Sequence, residues 1–584
     1  MTPKDGERGP AAGATAPPGP WRLLGALNER EEQFFLVFAI FVGVFAGLAV
    51  VCFRVAIDWA RVALLGSALR PGDVRMLLAP TLAGLAAGTL VLWLFPRARG
   101  SGVNQTKAAL YVYDGRIPFS TVIGKFLTSS LAVGGGHSLG PEDPALQIGG
   151  GLASAAGRGL RLSRDRLRLV PSLGAAAGLA AAFNSPITAV LFVVEEVIGR
   201  WSAPILGPLV LSAVSGVTVS HAFLGAEPLF RVPAVESATP AELLAYAALG
   251  LLGGLFAVAF VKLVLHARPR LFALPPWTRP LQAAAAGALI GAIALRHPEV
   301  TGAGYEAIGQ VLNGDHAWQL LAVLAALKLA TTAASFSAGV PGGLFAPTLV
   351  MGAMLGGAVG RLQAALFPDL TGPIHVYVLV GMGTLFAGNL RAPMTSVFMI
   401  LEITGNYGIV VPVMVSNTIA YLVSRAFQRA PLFDVLARQD GLELPSLEDR
   451  RHQTILRVED AMRDPVDLLR PTETVATALS RIQGAPGEFF LVREDGGRWS
   501  GVSRTRLQAL RDEGRGEAAV RSVVEASLPQ LHPDHELESA LRLVREWWPV
   551  VPVVHRADFD RLVGVLSLED VLAAYRKGPA GGQP

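Results

Sequence analysis

The apolar positions of this chain fall into two regimes. From about Phe34 to Phe427 hydrophobic residues run on with few charges, cut into pieces by Gly and Pro rather than by polar loops. A helix that crosses a bilayer needs about 20 consecutive apolar residues. Several pieces are shorter: VPSLGAAAGLAAAF (170–183) is stopped by Asn184-Ser185-Pro186, and ITAVLFVVEEVI (187–198) then starts again. The pattern predicts an all-α polytopic membrane region with broken and re-entrant helices. From Leu442 to Lys577 it changes to amphipathic helices alternating with short Val/Leu strands, the mark of a soluble α/β module. The first twenty residues, MTPKDGERGPAAGATAPPGP, carry no apolar period and are expected to be disordered, in a tail reaching to residue 30.

Both regimes repeat. In the soluble part a shift of 62 brings Val458 onto Val520, Pro471 onto Pro533 and Ala478-Leu479 onto Ala540-Leu541. Each unit reads helix, strand, strand, helix, and ends in GVSRTRL (501–507) or GVLSLED (564–570). In the membrane part PALQIGGGLASAAGR (144–158) answers PTLVMGAMLGGAVGR (347–361), a shift of 203. NSPITAVLFVVEE (184–196) answers RAPMTSVFMILEI (391–403), and GSGV (100–103) answers GAGY (302–305). Three matches in one order predict two homologous halves, about 35–225 and 240–435, within a membrane domain spanning 31–435. A linker (436–455), a paired module (456–515 and 518–578) and a tail (579–584) follow. Duplicated halves with interrupted helices commonly place a substrate site near the bilayer midplane.

Composition narrows the function. Of 584 residues 51% are hydrophobic and 16% charged, against roughly a quarter charged in soluble domains. The single cysteine, Cys52, excludes an internal disulfide framework or a Cys-based metal site. GLRLSRDRLR (159–168) carries four arginines and is expected on the cytoplasmic side, as are both termini. The leading residues lack the charged-then-apolar order of a cleavable signal. No nucleophile–base constellation, Zn motif or phosphate loop marks an enzyme, His137 has no evident ligand partners, and no nucleic-acid signature is present.

The polar interruptions carry the chemistry. GSGVN (100–104), GPEDP (140–144) and GVPGGLFAP (339–347) each put Gly and Pro at a helix start. The free amides and positive dipole end there form an anion site without a full positive charge. Within one of these starts stands a carboxylate pair, Glu142 and Asp143.

Taken in order, GSGVN, GPEDPALQIGG, GAAAGLAAAFNSPITAVLFVVEE and GVPGGLFAP resemble the CLC family of chloride channels and proton/chloride exchangers over residues 35–435. The terminal repeat resembles a pair of CBS domains. The resemblance implies a homodimer, one anion pathway per subunit and two inverted halves. It also implies roles. Ser101, with Gly102, coordinates the anion, and the amides of Leu344 and Phe345 meet it. Glu142 is the gate, a carboxylate that occupies an anion site until protonated, and Glu196 passes protons on the inner side. Three departures stand out. Pro141 and Asp143 replace the arginine and glycine that flank the family's glutamate, which disfavours negative charge on Glu142 and weakens outer anion attraction. Asn104 replaces a proline. Phe433, in APLFDVLAR (430–438), replaces the tyrosine whose hydroxyl meets the central anion. Serine at position 101 points to chloride rather than nitrate. In GVLSLED, Ser567 and Asp570 fit a nucleotide-ribose signature whose first-unit counterparts, Arg504 and Leu507, do not. Adenine nucleotide binding and a purely structural module therefore both stand, and no other cofactor or metal is expected.

The function expected is chloride transport coupled to proton antiport in the plasma (inner) membrane of a prokaryote, with chloride, protons, lipid and a second copy as partners. A passive voltage- or pH-gated chloride channel is the runner-up, though the retention of both glutamates argues against it. A CBS-bearing cation transporter would need facing carboxylates on continuous helices; a nucleotide sensor that transports nothing is the remaining alternative.

Overall fold

The computed structural model describes residues 20–577 apart from 67–71, 161, 200, 202, 231, 234–238, 369–370, 443, 445–455, 465–467, 486–487, 495–497, 525 and 547–548. Residues 1–19, the tail 579–584 and most of the expected linker thus lie outside the described residues. The chain divides into two compact units, Met1–Arg450 and Arg451–Pro584.

The first unit is helical. Its first half holds α1 (Pro20–Leu65), α2 (Arg75–Trp93), α3 (Gly102–Tyr111), α4 (Phe119–Gly134), α5 (Glu142–Gly159), α6 (Arg164–Phe183), α7 (Pro186–Phe192) and α8 (Ala203–Leu224). A π-helical turn, Val193–Ile198, extends α7. The second half answers with α9 (Pro240–Phe272), α10 (Arg279–Ala294), α11 (Tyr305–Asn313), α12 (Trp318–Ser337), α13 (Phe345–Leu366), α14 (Ile374–Leu390), α15 (Pro393–Thr404) and α16 (Val410–Phe427). A last helix, α17 (Leu432–Gln439), runs on through the start of the expected linker, and α1 begins within the stretch expected as tail. Seven helices among the described residues are long and apolar enough to cross a bilayer; α3, α7, α11 and α15 are too short.

Packing repeats with the sequence. A Cβ on Gly84 would stand 2.5 Å from the Ala283 carbonyl oxygen, and one on Gly287 2.2 Å from that of Pro80, so α2 and α10 touch backbone to backbone. The same closeness joins α5 to α6 at Gly149 and α13 to α14 at Gly352, where a Cβ would lie 2.1 and 2.3 Å from the carbonyls of Gly174 and Gly381. Small residues allow this approach, which holds helices together where lipid provides no hydrophobic drive. Asn184 and Arg391, matched by the 207-residue shift, share a left-handed backbone (φ 58° and 57°) that ends α6 and α14. A proline then restarts each chain at the first helical position.

The halves clasp each other where α7 meets α15. Glu195 accepts from the Thr395 N–H and hydroxyl at 3.1 and 2.7 Å. Its counterpart Glu402 accepts from the Ile187 and Thr188 N–H groups at 2.9 and 2.7 Å and from the Thr188 hydroxyl at 2.6 Å. Each helix thus supplies the carboxylate that caps the start of the other, the reciprocal contact an inverted pair of repeats makes.

The second unit contains α18 (Val475–Arg481), β1 (Phe489–Arg493), β2 (Trp499–Ser503), α19 (Arg504–Asp512), β3 (Ala526–Ser527), α20 (Leu537–Glu546), β4 (Val550–His555), β5 (Asp558–Ser567) and α21 (Leu568–Lys577). β1, β2 and β3 form one antiparallel sheet, with Leu491 opposite Gly501; β4 and β5 form another, with Val551 opposite Leu566. The segments that open each repeat are exchanged. The Val458 N–H donates to His535 O at 2.9 Å and, 62 residues on, the Val520 N–H donates to Glu473 O at 2.9 Å. Residues 456–463 complete the second repeat, and 519–524 with 526–527 the first, so neither closes its core alone.

Candidate functional site

The three Gly/Pro helix starts converge. The Gly140 N–H donates to Gly343 O and the Gly343 N–H to Gly140 O, each at 2.8 Å, which ties the segments preceding α5 and α13 face to face. A Cβ on Gly102 would fall 2.5 Å from the Asp143 carbonyl oxygen, so α3 closes the third side. All are buried.

Each residue singled out from the sequence can now be placed. Ser101 is the N-cap of α3, its hydroxyl oxygen accepting the Val103 N–H at 3.2 Å. Leu344 is the N-cap of α13, and Phe345 its first residue. The Phe345 ring packs against Phe192, Phe386 and Phe183, with centroids 4.8, 5.4 and 5.9 Å away. Pro141 is the N-cap of α5, and Glu142 follows it. One oxygen of Glu142 accepts the N–H of Ala346 at 3.4 Å; the other accepts the Tyr305 hydroxyl. The amide reached is therefore one residue beyond the Leu344–Phe345 pair, and the carboxylate sits on the open start of α13. Asp143 points instead to α3, where its Oδ1 accepts the Val103 N–H at 2.8 Å.

Glu196 lies on the π-helical turn after α7 and accepts from the ammonium of Lys107, both groups buried. The same ammonium stands 3.6 Å from Asp434 and 5.7 Å from the centroid of the Phe433 ring. Phe433 brings no hydroxyl, but its carbonyl accepts from the Asn104 side chain at 3.0 Å. Asn104, in place of proline, thus braces α3 against α17. Lys107 is five residues along α3 from Gly102, about 8 Å down its axis, so Glu196 is set back from the anion-facing tip.

Cavities open at both ends of α4. One of about 390 Å³ is lined by Arg61, Val133, Gly136, Thr301, Tyr305 and Glu306. The other, about 590 Å³, is lined by Arg97, Arg99, Gln105, Tyr113, Arg116 and Thr121. The first cavity approaches Glu142 through Tyr305, which separates the two, while the second reaches the flank of α3 at Gln105.

Five functional candidates were not singled out from the sequence. Tyr305 lay inside GAGY, read only as a repeat marker. Lys125 and Lys328, 203 residues apart, repeat one contact: Lys125 donates to the carbonyls of Ala98 and Gly100 at 3.0 and 2.6 Å, and Lys328 to those of Val300 and Gly302 at 3.0 and 2.9 Å. Their charges stand behind the starts of α3 and α11, tied into backbone. Lys107 and Asp434 complete the buried ion group, and a lone lysine in an apolar run was the available signal. Loss of the donor in Tyr305→Phe removes a hydrogen bond to a charged group, worth about 1.5–3 kcal/mol. Chloride efflux from vesicles is expected to rise about tenfold as Glu142 leaves its seat more readily; unchanged efflux would count against that seat.

In the second unit Ser567 caps Asp570: the Ser567 N–H and hydroxyl donate to Asp570 Oδ2 at 2.8 and 2.6 Å. Arg463 reaches both residues, at 2.8 Å from Asp570 Oδ1 and 3.2 Å from the Ser567 hydroxyl. The expected ribose-binding pair is thus engaged within the module.

Comparison with known proteins gives the family. Residues 83–425 match the family model described as voltage gated chloride channel, and residues 520–577 that of the CBS domain. The H(+)/Cl(-) exchange transporter ClcA of Vibrio campbellii is 32% identical over 70% of this chain and 90% of its own length. The protein of the same name from Salmonella arizonae is 30% identical over 72% and 93%. Among solved structures, a slow cyanobacterial Cl-/H+ antiporter superposes with a TM-score of 0.63 at 25% identity, covering 70% of this chain and 97% of that one. A eukaryotic CLC transporter covers 92% of this chain and 97% of its own, with a TM-score of 0.59 at 22% identity, a likeness of fold.

Proposed function

The chain belongs to the voltage gated chloride channel family, and from that premise we propose that it exchanges chloride for protons across a membrane. One observation carries the reading: the Glu142 carboxylate sits on the Ala346 amide, at a helix start built to hold an anion. While ionised it competes with chloride for that seat, and when it takes up a proton it leaves. Anion movement and proton movement are thereby linked, as any two ligands that share a site must be. Glu196, paired with Lys107 about 8 Å down α3 from the anion-facing tip, supplies protons from the cytoplasmic side without passing them through the chloride seats.

Ser101, Gly102, Glu142 and the α13 start all come from one chain, which supports one complete pathway per subunit in a homodimer. We place it in a prokaryotic inner membrane with both termini cytoplasmic: bacterial relatives support the first, and the arginine-rich loop at 159–168, a cytoplasmic feature, supports the second. At the CBS pair an adenine nucleotide would use Ser567 and Asp570 only by displacing Arg463.

The reversal potential of purified protein in a bilayer, under a proton gradient, separates exchange from passive conduction. For an exchanger it shifts with the proton gradient; for a channel it stays at the chloride equilibrium potential. Phe433 leaves the central anion one donor short, so Phe433→Tyr is expected to strengthen central chloride binding and tighten the exchange ratio. A restored hydroxyl is worth about 1.5–3 kcal/mol to a charged partner, read by chloride titration. Equal affinities in the two proteins would refute it.

A further inference from the structure

Consecutive residues at a helix start project about 100° apart, so Glu142 and Asp143 cannot share a target. Glu142 turns to α13, and Asp143 turns to the tip of α3. There its Oδ1 takes the Val103 N–H at 2.8 Å, and the Ser101 hydroxyl and Gly102 amide face the same carboxylate. A Cβ on Gly102 would come within 2.7 Å of that oxygen, so the seat is shaped around the carboxylate. Asp143 is fully buried, and its other oxygen has no hydrogen-bond partner. Gln147, one turn further along α5 and equally buried, borders Gly102 with both of its polar side-chain atoms also unpartnered. Lys125, tied to the carbonyls just before the tip, supplies the opposite charge.

A residue that only capped α3 would satisfy its remaining lone pairs, because buried polar atoms without partners are costly. Open acceptor and donor positions around a charged group beside Ser101 are features of a place where ligands are exchanged. We propose that Asp143 is a second tethered anion in the pathway: its carboxylate fills the seat at the tip of α3, beside Ser101, as that of Glu142 fills the tip of α13. Chloride reaches Ser101 only by displacing it. In this chain both helix tips are therefore occupied by its own side chains, on adjacent residues, and chloride is held at the Ser101 seat more weakly than that serine alone would hold it. The proposal rests on the exchanger reading above and concerns which seats chloride fills.

Bromide-soaked crystals of the full chain test it. Wild type is expected to show the Asp143 carboxylate, and no bromide, within reach of the Ser101 hydroxyl. Asp143→Asn, whose neutral side chain holds the Val103 amide less strongly and yields the seat to an anion, and Asp143→Gly, which leaves the seat empty, are both expected to show bromide there. Calorimetric chloride titration is expected to give an affinity about tenfold higher or more in Asp143→Asn, since a like charge has been removed from the seat. Bromide beside Ser101 in wild type with the Asp143–Val103 bond intact overturns the proposal, as does an unchanged affinity in both variants. The wild-type soak needs no substitution, so it decides the matter even where a variant fails to fold. Glu142→Gln is the control for the underlying reading. Bromide on its Ala346 amide together with bromide beside Ser101 faults the role of Asp143 alone. Bromide at neither tip in any of the variants removes the exchanger reading, and this proposal with it.

Discussion

Glu142→Gln is expected to keep passing chloride while losing chloride-driven proton uptake by a factor of about a hundred or more, the scale on which a positioned proton carrier contributes. Glutamine retains the length of the side chain, and its oxygen still accepts from Ala346 or Tyr305. It bears no charge and takes up no proton. The competition that ties proton to anion is thereby removed while the path stays open, and chloride flux should lose its pH dependence. Vesicles loaded with high chloride, with external pH followed as chloride leaves, read both quantities together. Retained proton uptake would show that the carboxylate on α13 is a cap and not a gate.

Lys107→Met carries the second large effect, on stability. Lys107 stands buried between Glu196 and Asp434. Removing one partner from a buried ion group costs about 3–5 kcal/mol, and here the lost ammonium faces two carboxylates. The purified variant is expected to unfold at a markedly lower temperature than wild type. Adding Glu196→Gln should recover a large part of the loss, because one of the two carboxylate charges that faced the lysine is then gone. A single substitution without thermal effect, or a double no better than the single, would contradict the ion group. The same lysine positions Glu196, the proposed proton carrier that the double variant lacks, so that variant should still pass chloride but move no protons.

Much of this architecture was legible because the chain writes it twice. The shift that aligned NSPITAVL with RAPMTSVF reappears as the same left-handed backbone at Asn184 and Arg391 and as the mutual capping by Glu195 and Glu402. The Gly/Pro starts could be read as anion-holding ends because their chemistry is local to a few residues. Contacts between distant segments were not legible. Tyr305 is 163 residues from Glu142, and nothing in GAGY announces what its hydroxyl reaches. Neighbours in sequence misled in another way. Asp143 read as a charge that only modulates its neighbour Glu142, whereas helix geometry sends the two carboxylates to different tips. Asn104 was a departure without a consequence until the Phe433 carbonyl appeared beside it. In the soluble module the repeat length fixed the elements in order, but the exchange of segments 456–463 and 519–524 depends on pairing that no periodicity encodes.

The central claim is that chloride and the Glu142 carboxylate compete for one seat. Its most direct test is the proton balance of binding. Chloride is added to weakly buffered, purified protein and the pH of the solution is followed. Wild type is expected to take protons from solution as chloride binds, because a displaced carboxylate becomes protonated, and Glu142→Gln is expected to take up fewer. Chloride binding with the same proton uptake in both proteins, or with none in wild type, would contradict the account.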